Sequence, residues 1–334
     1  MTADRPTPYV PGAVAVPLLR MAPGTSPAEA APTSEAAPAP EVRITPAEAA
    51  DAVERVLLDG LDPEQCPARS AVPVPAGELL LMPAGSAAYV GVKIAGVAPA
   101  NPARGLPRIT GSYLLFDGPT LQPLALLDGA ALTALRTPAV TALALRRLAA
   151  PDASHLVLFG AGPQAYGHLD ALLAVRPLTR LTVVSRSAGP AGELVAYARS
   201  LGLAARAGLP AAVAEADVVV CCTTARTPLF DGGLVPDHAA VAAVGSHEPD
   251  AREVDTALVR RSACYVEART AALREAGDLL LAGSAAGTWH NLSELVGGGA
   301  PVPMDRPRLF KGVGMAWQDL AVATELYRRA RARG

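Results

Sequence analysis

The chain has 334 residues, 51% of them hydrophobic and 18% charged, with a net charge of −2, a globular composition long enough for two domains with separate cores. No basic block supports nucleic acid as a partner, and no apolar run approaches the roughly 18 residues that a membrane-spanning helix needs. With no secretory signal at the start, and with Cys66, Cys221, Cys222 and Cys264 in neither zinc nor disulfide spacing, a cytoplasmic protein with reduced thiols and no metal is expected.

In chain order, the apolar runs at 7–10 and 13–19 predict a strand leading into a short helix. Residues 21–42 are dominated by Ala, Pro, Ser, Thr and Glu. That composition cannot bury enough apolar surface to offset its chain entropy, so a mobile insertion is expected. Thr45 as N-cap, Pro46 at the first helical position and Glu48 three residues on predict a capping box, with Gly60 stopping the helix after about Asp59. Between 71 and 127, short apolar runs at 79–82, 89–94, 112–116 and 123–127 alternate with Gly and Pro turns, the spacing of a mainly antiparallel sheet. Residues 130–149 keep helical spacing, interrupted only by Pro138, and predict a connecting helix or helix pair.

The run 154–159 then ends in Gly160-Ala161-Gly162 and opens into a helical pattern through Gln164 and Ala165. Gly160 lets the chain leave the strand, Gly162 lets a ligand approach the backbone, and Ala165, as the third small residue, lets the helix sit close on the sheet. Free N–H groups and the helix dipole then face a phosphate. A second run, 181–184, follows about one helix later and ends in Ser185-Arg186-Ser187. A carboxylate there would select the ribose hydroxyl of NAD, whereas an arginine between two hydroxyls suits a 2′-phosphate, so NADPH/NADP is expected, with NAD the lesser candidate. Apolar runs at 216–224 and 239–245 predict strands of a sheet covered on both faces, with a further strand at 264–266. Residues 315–330 are helical and end in arginines that suit a helix C-terminus.

Taken in order, Pro67-Ala68-Arg69, Gly91-Val92-Lys93, Asn101 with Gly105-Leu106-Pro107, Leu114-Leu115-Phe116-Asp117, Leu132-Thr133-Ala134-Leu135-Arg136-Thr137, the Gly160 turn, Val244-Gly245-Ser246-His247-Glu248-Pro249-Asp250 and Phe310-Lys311-Gly312-Val313-Gly314-Met315-Ala316 resemble the ornithine cyclodeaminase/mu-crystallin family. The resemblance spans most of the chain. It implies an α/β fold in which a Rossmann-type NAD(P)-binding domain, residues 131–309, is inserted into a mixed, mainly antiparallel α+β substrate and dimerisation domain, residues 1–130 plus 310–334. Residues 21–44 depart from the family pattern and read as an insertion. A homodimer joined through the substrate-domain sheets is expected.

Family members act on amino acids, imino acids or their relatives, and a carboxylate leaving water needs cations with directed donors. By matching positions, Arg69, Lys93 and Arg136 would clamp it; Lys93 lies in an apolar strand and Arg136 in a helix rich in Ala and Leu, where solvation explains neither. The resemblance assigns cofactor contacts to Arg136, Thr137, Gly160, Gly162, Gln164, Ala165, Ser185, Arg186, Ser187, Thr223, Val244, Ser246, Gly312 and Val313. His247 stands where family cyclodeaminases carry an aspartate that assists loss of the amine, and Arg108 where Thr is common. With an ordinary pKa of about 6.5, His247 is a candidate for proton transfer, and Lys93 and His247 are the candidate catalytic residues. The function implied is an NADPH-dependent oxidoreductase acting on the C–N bond of an amino or imino acid, an imine reductase or an amino-acid dehydrogenase in reverse. The alternatives are a redox-neutral NAD-dependent cyclodeaminase, against which His247 and Arg186 both speak, and a non-catalytic NADPH-dependent binding protein of mu-crystallin type.

Overall fold

The computed structural model describes residues 14–20 and 41–332. Seven strands, β1 (Val14–Arg20), β2 (Glu41–Ile44), β3 (Ser70–Val74), β4 (Gly77–Gly85), β5 (Tyr89–Val97), β6 (Ile109–Asp117) and β7 (Pro123–Asp128), form an antiparallel sheet in the order β2-β1-β7-β6-β5-β4-β3. Two expectations are corrected here. The run at 13–19 does not turn helical but stays extended to Arg20, and residues 41–44, assigned by composition to the insertion, pair as β2 with β1. Four residues after a low-complexity stretch carry too little pattern to announce a strand. The element expected at 7–10 and residues 21–40 lie outside the described residues.

Helix α1 (Pro46–Leu58) begins with the capping box: the Thr45 hydroxyl accepts from the Glu48 N–H at 3.2 Å and the Glu48 carboxylate accepts from the Thr45 N–H at 2.8 Å. Helix α2 (Gly129–Leu148) runs unbroken, capped by Asp128, whose carboxylate accepts from the N–H groups of Ala130 and Ala131. Pro138 sits inside it, where its missing N–H leaves a carbonyl one turn back without an intrahelical donor. The neighbouring helix fits this spot with a glycine: a Cβ at Gly167 would come within 2.8 Å of the Pro138 ring and 3.1 Å of the Ala134 carbonyl.

The chain then builds a second, wholly parallel sheet of eight strands, β8 (His155–Phe159), β9 (Arg180–Val184), β10 (Ala204–Ala207), β11 (Val218–Cys221), β12 (Ala240–Ala243), β13 (Ala263–Val266), β14 (His290–Asn291) and β15 (Arg308–Lys311), in the order β10-β9-β8-β11-β12-β15-β13-β14. Helices α3 (Pro163–Leu173), α4 (Ala188–Ser200), α5 (Thr256–Arg261), α6 (Arg269–Glu275), α7 (Gly277–Leu280) and α8 (Leu292–Val296) lie along its connections. The strands β8, β11 and β12 are buried at every residue, as both-face covering requires. Phe310 and Lys311, expected with the C-terminal part of the first domain, pair with β12 and β13 instead. The chain returns to the antiparallel sheet only after them, through residues 312–315 and helix α9 (Ala316–Ala332), which packs with α2 on the inner face of β4, β5 and β6. Among the described residues, no helix is long and apolar enough to cross a membrane.

Candidate active site

Because every strand of the second sheet points the same way, the turns after β8, β11, β12 and β15 gather along one edge. The strand order reverses between β8 and β11, the crevice in which open α/β sheets bind ligands. Gly160 leaves β8 with φ +110° and donates its N–H to the Val184 carbonyl at 2.9 Å, which brings the end of β9 beside it. A Cβ there would press to 2.9 Å on the Cys222 carbonyl. Gly162 is the N-cap of α3 and has no side chain to satisfy the first N–H groups, while open space lies where its Cβ would be. Ala165 is fully buried, and the Gln164 side-chain oxygen is buried without a hydrogen-bond partner among the described residues. An uncapped helix start, bare of side chain and facing open space, fits the pyrophosphate of a dinucleotide. Ser185, Arg186 and Ser187 stand at the end of β9, with Arg186 exposed and in no ion pair among the described residues. Thr137 lies half-buried on α2, next to Arg136.

The second half of the site is a cluster of buried charges. Lys93 projects from the inner face of β5 between Gly91 and Ala95, where alternation puts every second side chain inward. Its Nζ lies 2.8 Å from Asp319 Oδ2 and donates to the Thr133 hydroxyl at 3.2 Å. Arg136, from α2, donates through Nε to Asp319 Oδ1 at 3.1 Å and through a terminal nitrogen to Gln318 Oε1 at 3.3 Å. Both cations and Asp319 are buried. Burial, then the neighbouring Arg136, pulls the Lys93 ammonium down to about 8 against the opposing pull of Asp319. Arg69 is paired with Glu275 at 2.7 Å and donates to the carbonyls of Val313 and Gly314 at 2.8 and 2.5 Å. Burial raises the Glu275 carboxyl, with Arg69 opposing.

Residues 312–315 tie the two halves together. The N–H groups of Val313 and Gly314 both donate to Glu267, which also accepts from the Gln318 amide at 2.7 Å. Gly314 holds φ +78°, and a Cβ there would fall 2.7 Å from the Arg136 guanidinium, so only glycine lets this segment lie against the cation.

Beneath the turns runs a second buried ion network. Lys311 pairs with Asp278 at 2.8 Å and donates to the Ser246 carbonyl at 2.7 Å. Asp278 accepts from the N–H groups of Glu253 and Val254. Glu253 in turn accepts from the Thr223 N–H and hydroxyl and from the Gly245 N–H, each at 2.7 Å. The Thr223 hydroxyl is thus directed inward, holding its turn. Val244 touches the Cβ position of Gly312 at 3.2 Å, and the buried Ser246 hydroxyl donates to the Ala251 carbonyl. His247 is half-buried at the end of this turn, and burial followed by the charge of Arg69 lowers its pKa.

The chain contains just two lysines, Lys93 and Lys311, and both are buried in these networks. The structure brings Lys93 and Arg136 together around Asp319, holds Arg69 on the Val313 carbonyl and leaves His247 within the field of Arg69, while the Gly160 turn and Arg186 stand at the ends of β8 and β9. Sequence reasoning missed Asp319, Gln318, Glu267, Glu275, Glu253 and Asp278. Their one signal is an acid or amide within an otherwise apolar stretch, strongest for Gln318-Asp319 at the head of α9.

The profile of the ornithine cyclodeaminase/mu-crystallin family matches residues 41–334. The chain is 34% identical over 265 residues to ketimine reductase mu-crystallin of Mus musculus, spanning 78% of this chain and 84% of that protein. Among solved structures, Δ1-pyrroline-2-carboxylate reductase of Thermococcus litoralis in complex with NADH and L-proline superposes with a TM-score of 0.82 at 30% identity, covering 87% of this chain and 95% of that one. An archaeal alanine dehydrogenase dimer with bound NAD superposes at 0.81 with 27% identity, covering 87% and 93%.

Proposed function

The chain belongs to the ornithine cyclodeaminase/mu-crystallin family, and from that premise we propose that it reduces the C=N bond of an imino acid with NADPH. The observation that carries the substrate class is the convergence of Lys93 and Arg136, with Arg69 nearby, in a buried site. A buried cation pair whose donors are only partly engaged is built for a carboxylate, since a neutral ligand would leave it uncompensated. The substrate carboxylate meets the free donors of Lys93 and Arg136, and its C=N carbon lies toward the turns after β12 and β15. When bound, the nicotinamide supplies the hydride. Gly160, Gly162 and the head of α3 would hold its pyrophosphate, and residues 244–246 and 312–313 would border its reactive end. Lys93, still largely charged at neutral pH, holds a proton close to the imine nitrogen. His247, neutral there, is an acceptor for the reverse direction.

NADPH over NADH rests on the exposed Arg186 between Ser185 and Ser187, although both solved relatives above hold the non-phosphorylated dinucleotide. The division of labour follows the sheets: the parallel one with the cofactor, the antiparallel one with the substrate and with a second copy of the chain. The outer face of the antiparallel sheet carries Leu79, which is exposed, and Leu81, Val92, Ile94 and Leu114, which are partly exposed, where a solvated sheet would be polar. A homodimer through this face covers it.

The test is direct. Purified protein should oxidise NADPH on addition of Δ1-pyrroline-2-carboxylate. A protein that quenches NADPH fluorescence yet oxidises it with no cyclic imino acid, and with no α-keto acid plus amine, is a binding protein and overturns the assignment.

A further inference from the structure

We propose that Asp319 is the positioning residue of this site, a carboxylate that turns the Lys93 ammonium and the Arg136 guanidinium so that the donors it leaves free meet a single substrate carboxylate. This role presupposes the imino-acid activity proposed above. Asp319 has no exposed surface, and each of its oxygens faces a different cation, Lys93 at 2.8 Å and Arg136 at 3.1 Å. The three elements that supply these groups, β5, α2 and α9, meet at this carboxylate. It sits in the first turn of α9, where the helix dipole favours its charge.

Asp319 engages only part of each partner's set of donors. An ammonium has three N–H directions, of which the Thr133 hydroxyl takes one, while Asp319 stands 2.8 Å away as the counter-ion. A guanidinium has five, of which Asp319 takes Nε–H and Gln318 takes one terminal N–H. Its terminal nitrogens lie close to Gly314, where any side chain would crowd them. Asp319 therefore engages one side of each cation and leaves the rest for an incoming anion. It also opposes the burial, and after it the repulsion from Arg136, that would otherwise drive Lys93 to lose its proton.

The charged and titratable groups facing Lys93 are Arg136 from α2, Asp319 from α9, Arg69 from the segment before β3 and Tyr113 from β6. Of these, Asp319 is the group that raises the Lys93 pKa, while burial, Arg136 and Arg69 lower it. Removing the negative charge alone should make Lys93 neutral near pH 7, with its amine free to turn.

Asp319→Asn keeps the size and removes the charge. With Δ1-pyrroline-2-carboxylate, wild-type kcat/KM should fall as pH rises through about 8. In the variant that limb should move at least one pH unit lower, and KM at pH 7 should rise tenfold or more, with kcat changing less. Asp319→Glu restores the charge in a displaced position, so it should keep the limb near its wild-type place while KM rises. Circular dichroism and thermal melts, with NADPH fluorescence quenching beside them, report whether each variant is folded. Because Lys93 and Lys311 are the chain's two lysines, 15N-lysine NMR resolves the Lys93 Nζ titration by itself, with Lys93→Met for assignment. A folded Asn variant with an unchanged limb and KM, or an unchanged Lys93 titration, overturns the role. If the Asn variant fails to bind NADPH, an unchanged KM in Asp319→Glu overturns it. Should wild type reduce no imino acid, the functional assignment fails, and the Lys93 titration still decides for or against Asp319.

Discussion

Gly91 lies directly beneath the Tyr113 hydroxyl: a Cβ at residue 91 would fall 2.0 Å from the phenolic oxygen. Tyr113 is fully buried and pairs across the strands with Lys93, and its hydroxyl has no hydrogen-bond partner among the described residues. Burial, and then the charge of Asp319, raises its pKa well above the ordinary value, so it stays a neutral phenol. An unpartnered buried hydroxyl costs about 1–3 kcal/mol in desolvation. Tyr113→Phe should therefore leave Tm unchanged or raise it, whereas Gly91→Ala, which forces the ring away from its place beside Lys93, should lower Tm by several degrees and raise KM. Thermal melts of both variants decide; a Tyr113→Phe variant that melts well below wild type would mean the hydroxyl has a partner in solution.

Arg186 projects into solvent at the end of β9, beside the Gly160 turn. Replacing it with Asp puts a carboxylate where a ribose 2′-hydroxyl would donate and repels a 2′-phosphate. The NADPH to NADH preference, taken as the ratio of kcat/KM, should fall by tenfold or more. Tighter NADH than NADPH binding by the wild type, seen in a fluorescence titration, would refute the preference itself.

The pH dependence of stability has a clear contributor in His168, which joins α2 to α3. Its Nδ1–H donates to the Gln164 carbonyl at 2.7 Å, and its Nε2 meets the Thr141 hydroxyl at 3.0 Å. Complete burial brings its pKa from 6.5 down to about 4. Below pH 6.5 the unfolded chain binds a proton that the folded chain refuses, so the stabilisation is complete above 6.5 and is lost as pH falls toward 4. At pH 5 the loss is about 2 kcal/mol. His168→Leu removes this titration, so the gap in Tm between wild type and variant should narrow from pH 7 to pH 5; a constant gap would exclude His168 as the source.

The outer face of the antiparallel sheet offers a test of assembly. Ile94 stands opposite Leu81 on that face, and Ile94→Glu places a charge in the middle of the proposed contact between copies. Light scattering should give a dimer for the wild type and a monomer for the variant. A monomeric wild type at micromolar concentration would leave the apolar face without the occupant assigned to it.

Much of this was legible in the residues because it is local. The capping box at Thr45, the alternation along β5 and the Gly160 turn each lie within a few neighbours in sequence, and each folds as its spacing implies. Lys93 and Arg136 stood out as cations in apolar company. Their counter-charges did not, because nothing nearby distinguishes Asp319 from the acid that any helix favours in its first turn. Glu267 and Glu253 likewise read as surface acids until the fold folds them inward onto backbone N–H groups. The place of β15 between β12 and β13 was hidden for the same reason: parallel pairing joins strands that are far apart in the chain. The four residues of β2 were lost in the composition that precedes them.

The path of the chain has a consequence for its birth on the ribosome. All eight strands of the parallel sheet come from one uninterrupted stretch, His155 to Lys311, whereas the inner face of the antiparallel sheet waits for α9, which follows that stretch in the chain. As synthesis runs from the N-terminus, strands β3 to β7 emerge early and Lys93 waits for its counter-charge on α9, and the parallel sheet waits with it, because only residues 312–315 separate its inner strand β15 from that helix. For that interval the nascent chain carries two open edges and a bare ammonium in the midst of hydrocarbon. Because residues 312–315 alone separate β15 from α9, a chain cut back to residue 307 should lose an inner strand of one sheet and the roof of the other together, and both halves should become substrates for proteases.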